Sequence, residues 1–572
     1  MQYFNKDIIG IYVNDRKEPA VLPISNNYIG RIKVKPDKIC RHGDMVKVKL
    51  QKENYNKRTI KKGSIRAQIT EKIKGNEDNI DLLYIRTLFQ LPESFPRNVR
   101  REIKNYKLPK DEFEQQRRII DKEWIVTIDS EEAKDLDDAV SVSYSSGRWY
   151  LGVYIADVTR YVPKDSNIEL EAMKRASSIY FGSEVIPMFP EFLSNDLCSL
   201  VPGKEKSVLC CLMEIDNNGT VLNYDIFPGI IKINERLSYN MVNNILNDPN
   251  DLSFRKENLK KMWQLMEILK NRRLQDGSID FDIDEIKILK DSSGKVIEIK
   301  KQRRGIAERI IEEFMLVANK TVAHFIAENK VPAIYRIHDI PDILKVKGLN
   351  HLINSLNLPP IDINGFISTS FQNLLFCSKN KPSEQIVTYF ILRSMQQAKY
   401  CTDNRGHFGL GFTHYVHFTS PIRRFPDFVI HRIVKNILNK RDKTSYYLRT
   451  EKGLERISEH CTQVEKKAAE IERTYLKIKE IRWLKQQPLK KVWDGIITGI
   501  TKKGVFVELL DLPIDGLILM EDLQRNERFD FNEKKLIIKG QKSKKIYKLG
   551  SFIKVSIKKI DTIKFLIDFT PV

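Results

Sequence analysis

The segment IVTIDSEEAKDLDDAV places four aspartates, Asp129, Asp135, Asp137 and Asp138, directly behind a short apolar run that reads as a strand. Carboxylates crowded at a strand end repel one another unless cations or hydrogen-bond donors neutralise them. Any fold that contains this segment must therefore bring positive charge to it. Oxygen-rich groups of this kind suit Mg²⁺ or Mn²⁺, which polarise a phosphate and lower the pKa of an attacking water. Asp137 and Asp138 are neighbours and would face opposite sides of a strand, so at least one must stand on a loop to share a site. An acidic surface turn is the competing reading of the same residues.

The remainder of the chain sorts into stretches of different periodicity. Residues 1–85 alternate short β-rich runs (IIGIYV, AVLPI, GRIKV, MVKVKL, IRAQI) with turn signals such as Asn26-Asn27 and His42-Gly43-Asp44, the pattern of a small OB-type barrel. Basic residues crowd between Lys47 and Lys74 and give that barrel a face suited to phosphates. Residues 86–123 are polar, carry Pro92, Pro96 and Pro109, and read as a linker. From 124 to 487 strand patterns come first (WIVTID, AVSVSY, WYLGVYIADV). Helical patterns follow over Leu259–Arg273, Ala307–Ala327, Ser383–Tyr400 and Asp427–Leu438, which predicts an α+β catalytic body. A charged helix over Leu454–Leu484 closes that body and reads as exposed. Residues 488–572 return to short strands (VWDGIITGI, GVFVEL, DGLILM, FIKVSI, KFLIDF), a second OB-type barrel with its own basic run, KKLIIKGQKSKKIYK.

Lys and Arg number 97 against 75 Asp and Glu, a net charge of +22 that favours a polyanionic partner, nucleic acid above all, over a merely solvated basic surface. The seven cysteines are scattered and never spaced C-x-x-C, which argues against both a disulfide framework and a cysteine zinc site. The start, MQYFNKDIIGIYVND, lacks a basic segment followed by an apolar one, and no apolar run is long enough to span a bilayer. The expectation is a cytoplasmic chain with no membrane partner.

Three further segments, ASSIYFGSEVIPMFPEFLSNDLCSL, RGIAERIIEEFMLVANKTVAHFI and HFGLGFTHYVHFTSPIRRFPDFVIHRIV, join the spaced aspartates in a larger pattern. Together they resemble the catalytic RNB domain of the ribonuclease II and ribonuclease R family, over about 124–485. The flanking barrels resemble that family's cold-shock domain and its S-one-type RNA-binding domain, and TSPIRRFPD followed by HRIV stands closer to ribonuclease R. The resemblance implies a processive 3′-to-5′ exoribonuclease of RNA turnover and quality control. It would be a monomer that takes single-stranded RNA with a free 3′ end and releases nucleoside 5′-monophosphates, with Mg²⁺ as cofactor and Mn²⁺ as an acceptable substitute.

Residue by residue, the resemblance makes Asp129, Asp135, Asp137 and Asp138 the metal and water site, with Asp137 indispensable, and Arg423 the guanidinium on the scissile phosphate. It makes Tyr180 the aromatic stacked on the terminal base and Phe281 its clamping partner, where core packing is the alternative for both. Tyr239 and Glu312 match contacts to ribose. Glu312 and Glu313 point about 100° apart on a helix, so one faces the channel and the other is expected in solvent. Glu472 matches a functional glutamate, on a helix charged enough for an exposed pair partner to serve as well.

Other patterns carry less. His407, His414 and His417 lack a fourth ligand with zinc spacing, and Gly409 and Gly411 lack the third glycine of a dinucleotide fingerprint. The stretch before Asp129 has room for one barrel where the resembled family usually carries two, which bears on RNA capture and unwinding more than on hydrolysis. Two competing functions are a non-catalytic RNA clamp on a degenerate RNB body and a metal-dependent nuclease acting on DNA or within RNA. The intact aspartates and Arg423 argue against the first, and the ribose contacts against the second.

Overall fold

The computed structural model describes residues 7–15, 18–25, 30–51, 65–281, 284–363, 365, 367–381, 383–439, 451–524, 527–532 and 537–572. Alternation builds the first barrel: in Ile32–Val34 the two apolar residues point inward and Lys33 outward. The strands Ile8–Asp15, Glu18–Pro23, Ile32–Val34, Met45–Leu50 and Arg66–Lys72 close on one another, with the last lying between the third and fourth. Tyr12, Val21, Val46 and Val48 fill the interior. The Asn26-Asn27 turn and residues 52–64 of the basic run lie outside the described residues.

The helix Glu77–Phe89 runs out of the stretch assigned to the barrel into the one read as a linker, which also holds the helix Arg97–Lys104 and the sheet strand Arg118–Ile120. The first starts at Asn76, whose side chain accepts the Asn79 N–H. It buries Leu82 and Ile85 against Phe181, Ile471 and Ile478. The last two belong to the 34-residue helix Glu451–Leu484, so that helix is not the exposed element its charges suggested. Its Lys479 is fully buried and bridges Asp78 and Asp81 of the first helix, both at 2.7 Å. A charge count along one helix cannot register that its cation is neutralised by carboxylates from another.

The central body is organised on a seven-stranded sheet in the order Glu235–Ser238, Val126–Asp129, Asp138–Ser145, Arg148–Ala156, Glu205–Ile215, Val221–Lys232, Arg118–Ile120. The pairings are antiparallel except at the two edges. Helices Phe254–Gln275 and Ile306–Glu328 bury Leu259, Met262, Leu265, Phe314, Val322 and Ile326 in the same core. Helix Phe425–Asn439 is buried without interruption from Phe425 to Val434, its polar Asp427, His431 and Arg432 each held by hydrogen bonds.

The pattern over Ser383–Tyr400 is helical only across Glu384–Ser394. Lys399–Cys401 is instead a strand paired with Tyr335–Ile337, and the Tyr400 N–H donates to Thr462 Oγ1 at 3.0 Å. These tertiary partners, absent from a local reading, override its helical period.

The second barrel closes from Val492–Thr501, Gly504–Leu509, Asp515–Leu519, Leu566–Pro571 and Phe552–Asp561, with a three-stranded sheet over Phe529–Asn532, Ile537–Gly540 and Ile546–Lys548 beside it. A hairpin of the central body, Glu285–Lys290 with Val296–Gln302, adds Val296 and Ile299 to this barrel's core. Among the described residues no helix is long and apolar enough to cross a membrane.

Candidate active site

The acid segment folds as strand, loop, strand. Val126–Asp129 ends on Asp129, residues 130–137 form the loop, and Asp138 opens the next strand. Asp137 is thus the loop member of the adjacent pair, the condition under which both can serve one site. The loop is pinned by residues that the local pattern does not single out. Arg236 Nη2 donates to the carbonyls of Glu131 (3.0 Å) and Ala133 (2.7 Å). Ser199 Oγ donates to the Lys134 carbonyl at 2.7 Å and accepts the Leu136 N–H at 3.1 Å.

Opposite lies the turn Ser420–Arg424. Its Ile422 N–H donates to Asp137 Oδ1 at 2.8 Å, and its Ser420 N–H donates to Asp427 Oδ1 at 2.8 Å. The Arg423 carbonyl accepts the Ser178 N–H at 2.9 Å and Ser177 Oγ–H at 3.1 Å, which joins the turn to the strand carrying Tyr180. A cavity of about 260 Å³ opens between the two segments. Asp129, Asp135, Asp137, Asp138, Tyr239, Glu312 and Arg423 all line it.

Asp137 is 3% exposed, and its Oδ2 has no hydrogen-bond partner; Arg423 Nε stands 3.7 Å away. Asp129 Oδ2 is buried and unpartnered as well. Burial, then repulsion from Asp138, pushes the Asp129 carboxyl up to about 8 against the pull of Arg236 and Arg423. Burial lifts Asp138 to about 6 and lifts Asp137 well above the usual carboxylate range despite Arg423 and the Ile422 N–H. These are hard oxygen donors held short of positive charge, a donor set suited to Mg²⁺ or Mn²⁺. As the side chains stand, no three His, Cys, Asp or Glu among the described residues form a ready ligand group. The fit to a cation rests on the unpartnered oxygens and their chemistry, and the carboxylates must draw in around it.

The other expected residues divide. Tyr180 is outward-facing and donates its hydroxyl to Asp135 Oδ2 at 2.6 Å. Tyr239 opens the helix Tyr239–Asn247 beside Asp129, because Ser238 pairs in register with Asp129. Glu312 pairs with Arg304 at 2.8 Å at the cavity wall. Glu313 is not in solvent: it is buried against Arg273 at 2.6 Å, an ion pair that a helical wheel cannot anticipate. Phe281 packs half-buried in a separate apolar cluster with Ile279 and Phe371 and does not line the cavity. Glu472 is exposed on the long helix, also away from it. His407 Nδ1 accepts the Leu410 N–H, while His417 Nδ1 meets the Tyr400 hydroxyl at 2.8 Å. Arg424, Asn319 and Tyr415 line the cavity without having been expected there. Only for Arg424 was a signal at hand, its place next to Arg423.

The family described as the RNB domain matches residues 117–440, more than half of the chain. The chain belongs to the RNB family. A second match, the S1 RNA binding domain, covers residues 487–570. Relatives of this RNB protein include the ribonuclease R of Thermotoga maritima, 36% identical over 514 residues that make up 87% of this chain and 71% of that one. Solved relatives include Mycoplasma genitalium RNase R in complex with ribose methylated single-stranded RNA. It has a TM-score of 0.87 and 28% identity, over 99% of this chain and 89% of that one. The same enzyme in complex with double-stranded RNA has a TM-score of 0.81 and 27% identity, over 99% and 95%. The RNB chain described here is thus a hydrolase of the ribonuclease R type, within a family of 3′-to-5′ exoribonucleases that are generally metal-dependent.

Proposed function

We propose that this enzyme degrades single-stranded RNA processively from a free 3′ end to nucleoside 5′-monophosphates, as part of RNA turnover and quality control. The observation that carries the reading is the pair of buried, unpartnered oxygens on Asp129 and Asp137 beside Arg423, in a cavity that also takes in Tyr239 and Glu312. Asp129, Asp135, Asp137 and Asp138 would hold Mg²⁺ or Mn²⁺. When bound, the ion supplies Lewis-acid polarisation of the last phosphodiester and an acidified water.

The chain's own side chains do the rest. Arg423, with a side chain 46% exposed, is free to bind phosphate oxygens and hold the negative charge that develops on them. The Ile422 N–H fixes the orientation of Asp137. The Tyr180 ring faces outward for a terminal base to stack on, a contact worth about 1–3 kcal/mol that accepts any base. Tyr239 and Glu312, both lining the cavity, would contact the ribose 2′-hydroxyl in this reading and so select RNA. Phe281, which packs in its cluster, and Glu472 are assigned to RNA only through the family pattern.

The test uses a 5′-labelled single-stranded RNA, its DNA counterpart and an RNA blocked at its 3′ end, each with Mg²⁺ or EDTA. Mononucleotides and a short residual oligomer are expected from the free RNA alone, with loss of both in EDTA and in Asp137→Asn. Internal cutting of the blocked RNA, or full activity in Asp137→Asn, would overturn the reading.

A further inference from the structure

We propose that Tyr180 has two separable roles, its ring facing the RNA end and its hydroxyl positioning Asp135 within the acid set. The inference rests on the site assignment above and concerns a contact which that assignment does not use. In the strand Ile179–Phe181 the flanking residues are buried, at 8% and 2% exposure, and Tyr180 is turned out at 39%. The strand has anchors that are independent of Asp135. It pairs with Glu184–Ile186, and Arg86 of the helix Glu77–Phe89 forms an ion pair with Glu184. Just past the strand, Gly182 sits at φ 60°, where a Cβ would come within 2.4 Å of the Tyr475 hydroxyl oxygen. Before it, the Ser178 N–H holds the Arg423 carbonyl.

Asp135 has the opposite character. It lies in the loop, which is pinned through the backbone on either side of it, at Lys134 and Leu136, by Ser199. Its side chain, which lines the cavity, is oriented by the Tyr180 hydroxyl, which donates to Oδ2 at 2.6 Å. A hydroxyl-to-carboxylate contact this short is a strong one and holds the carboxylate's direction. The fixed partner is therefore the tyrosine, and the carboxylate follows it. Outer contacts of this kind set the direction of a ligand, and their loss costs about 10- to 100-fold in metal affinity.

Binding of Mn²⁺ in the absence of RNA, read as free ion by electron paramagnetic resonance, tests this on the whole chain. Tyr180→Phe keeps the ring and should weaken Mn²⁺ about tenfold or more, while RNA affinity measured in EDTA stays within about twofold of the parent. Tyr180→Leu should lose RNA affinity as well. Asp135→Asn, which removes a ligand charge, should weaken Mn²⁺ at least as much as Tyr180→Phe, and adding Tyr180→Phe to it should cost little more, because the hydroxyl acts only through that carboxylate. Parental Mn²⁺ affinity in Tyr180→Phe alongside weak binding in Asp137→Asn overturns the Tyr180 assignment alone, as does full additivity in the double variant. Parental Mn²⁺ affinity in Asp137→Asn overturns the metal site itself and this inference with it.

Discussion

Asp137 and Asp157 stand side by side at one end of the central sheet. Asp137 precedes the strand Asp138–Ser145, Asp157 follows the neighbouring strand Arg148–Ala156, and the Ala156 N–H donates to the Asp137 carbonyl at 2.8 Å. Their exposures are 3% and 0%. Around Asp157 the chain supplies what a buried carboxylate needs: Lys435 Nζ at 2.6 Å, Arg117 Nη2 at 2.8 Å and the Thr159 hydroxyl at 2.8 Å. Burial pushes this carboxyl up, but Lys435 and Arg117 outweigh it and hold it well below the usual range. Asp137 receives one backbone N–H and a guanidinium at 3.7 Å, and burial wins. A carboxylate satisfied by its own chain is part of the framework. One left short of charge is ready for a ligand, at a cost in stability while it waits.

Substitution at the two places should separate stability from turnover. Asp157→Asn strands the buried Lys435 and leaves Arg117 its ion pair with Asp111, and should cost about 3–5 kcal/mol in denaturant unfolding; a loss below about 1 kcal/mol would break the comparison. Arg423→Ala should lower exoribonuclease turnover about 10²- to 10³-fold and leave the melting temperature near that of the parent, since the side chain is half-exposed. An equal fall in stability would return Arg423 to the framework class.

The acid set should also show itself in the pH dependence of the metal-free protein. Asp129 at about 8 and Asp138 at about 6 lie above their unfolded value of 3.8, so the folded state binds more protons between about pH 4 and 8. Their contribution to stability is then full below about pH 4 and declines as pH rises toward 8. Asp157 has the reverse sign: its depressed carboxyl contributes fully above the unfolded pKa and loses that contribution on acidification. Urea unfolding in EDTA across this range should show Asp129→Asn gaining on the order of 1 kcal/mol over the parent at pH 8, and Mg²⁺ should erase the difference by restoring the parent. A parent curve that does not change with Mg²⁺ would contradict the reading. The smallest effect is expected at Glu472, where Gln should shift stability by less than about 0.5 kcal/mol, in contrast to a clear loss of RNA-over-DNA preference in Glu312→Gln.

Both barrels and three strands of the central sheet, Val126–Asp129, Asp138–Ser145 and Arg148–Ala156, were legible in the sequence because side-chain alternation is a local signal, and Ile32–Val34 shows it at its simplest. The acid set was legible for a similar reason, since its four members sit within one strand-loop-strand and all line one cavity. The burial of the long helix, the strand at Lys399–Cys401 and the burial of Glu313 were not legible. Each depends on a partner far along the chain: Asp78 and Asp81 for Lys479, Tyr335–Ile337 for the strand, Arg273 for Glu313. The sequence by itself determined which groups crowd together along the backbone. Only the tertiary structure decided which carboxylates are neutralised, because Coulomb attraction and desolvation follow distance in space, and Lys435, Arg117 and Arg423 arrive from separate parts of the chain.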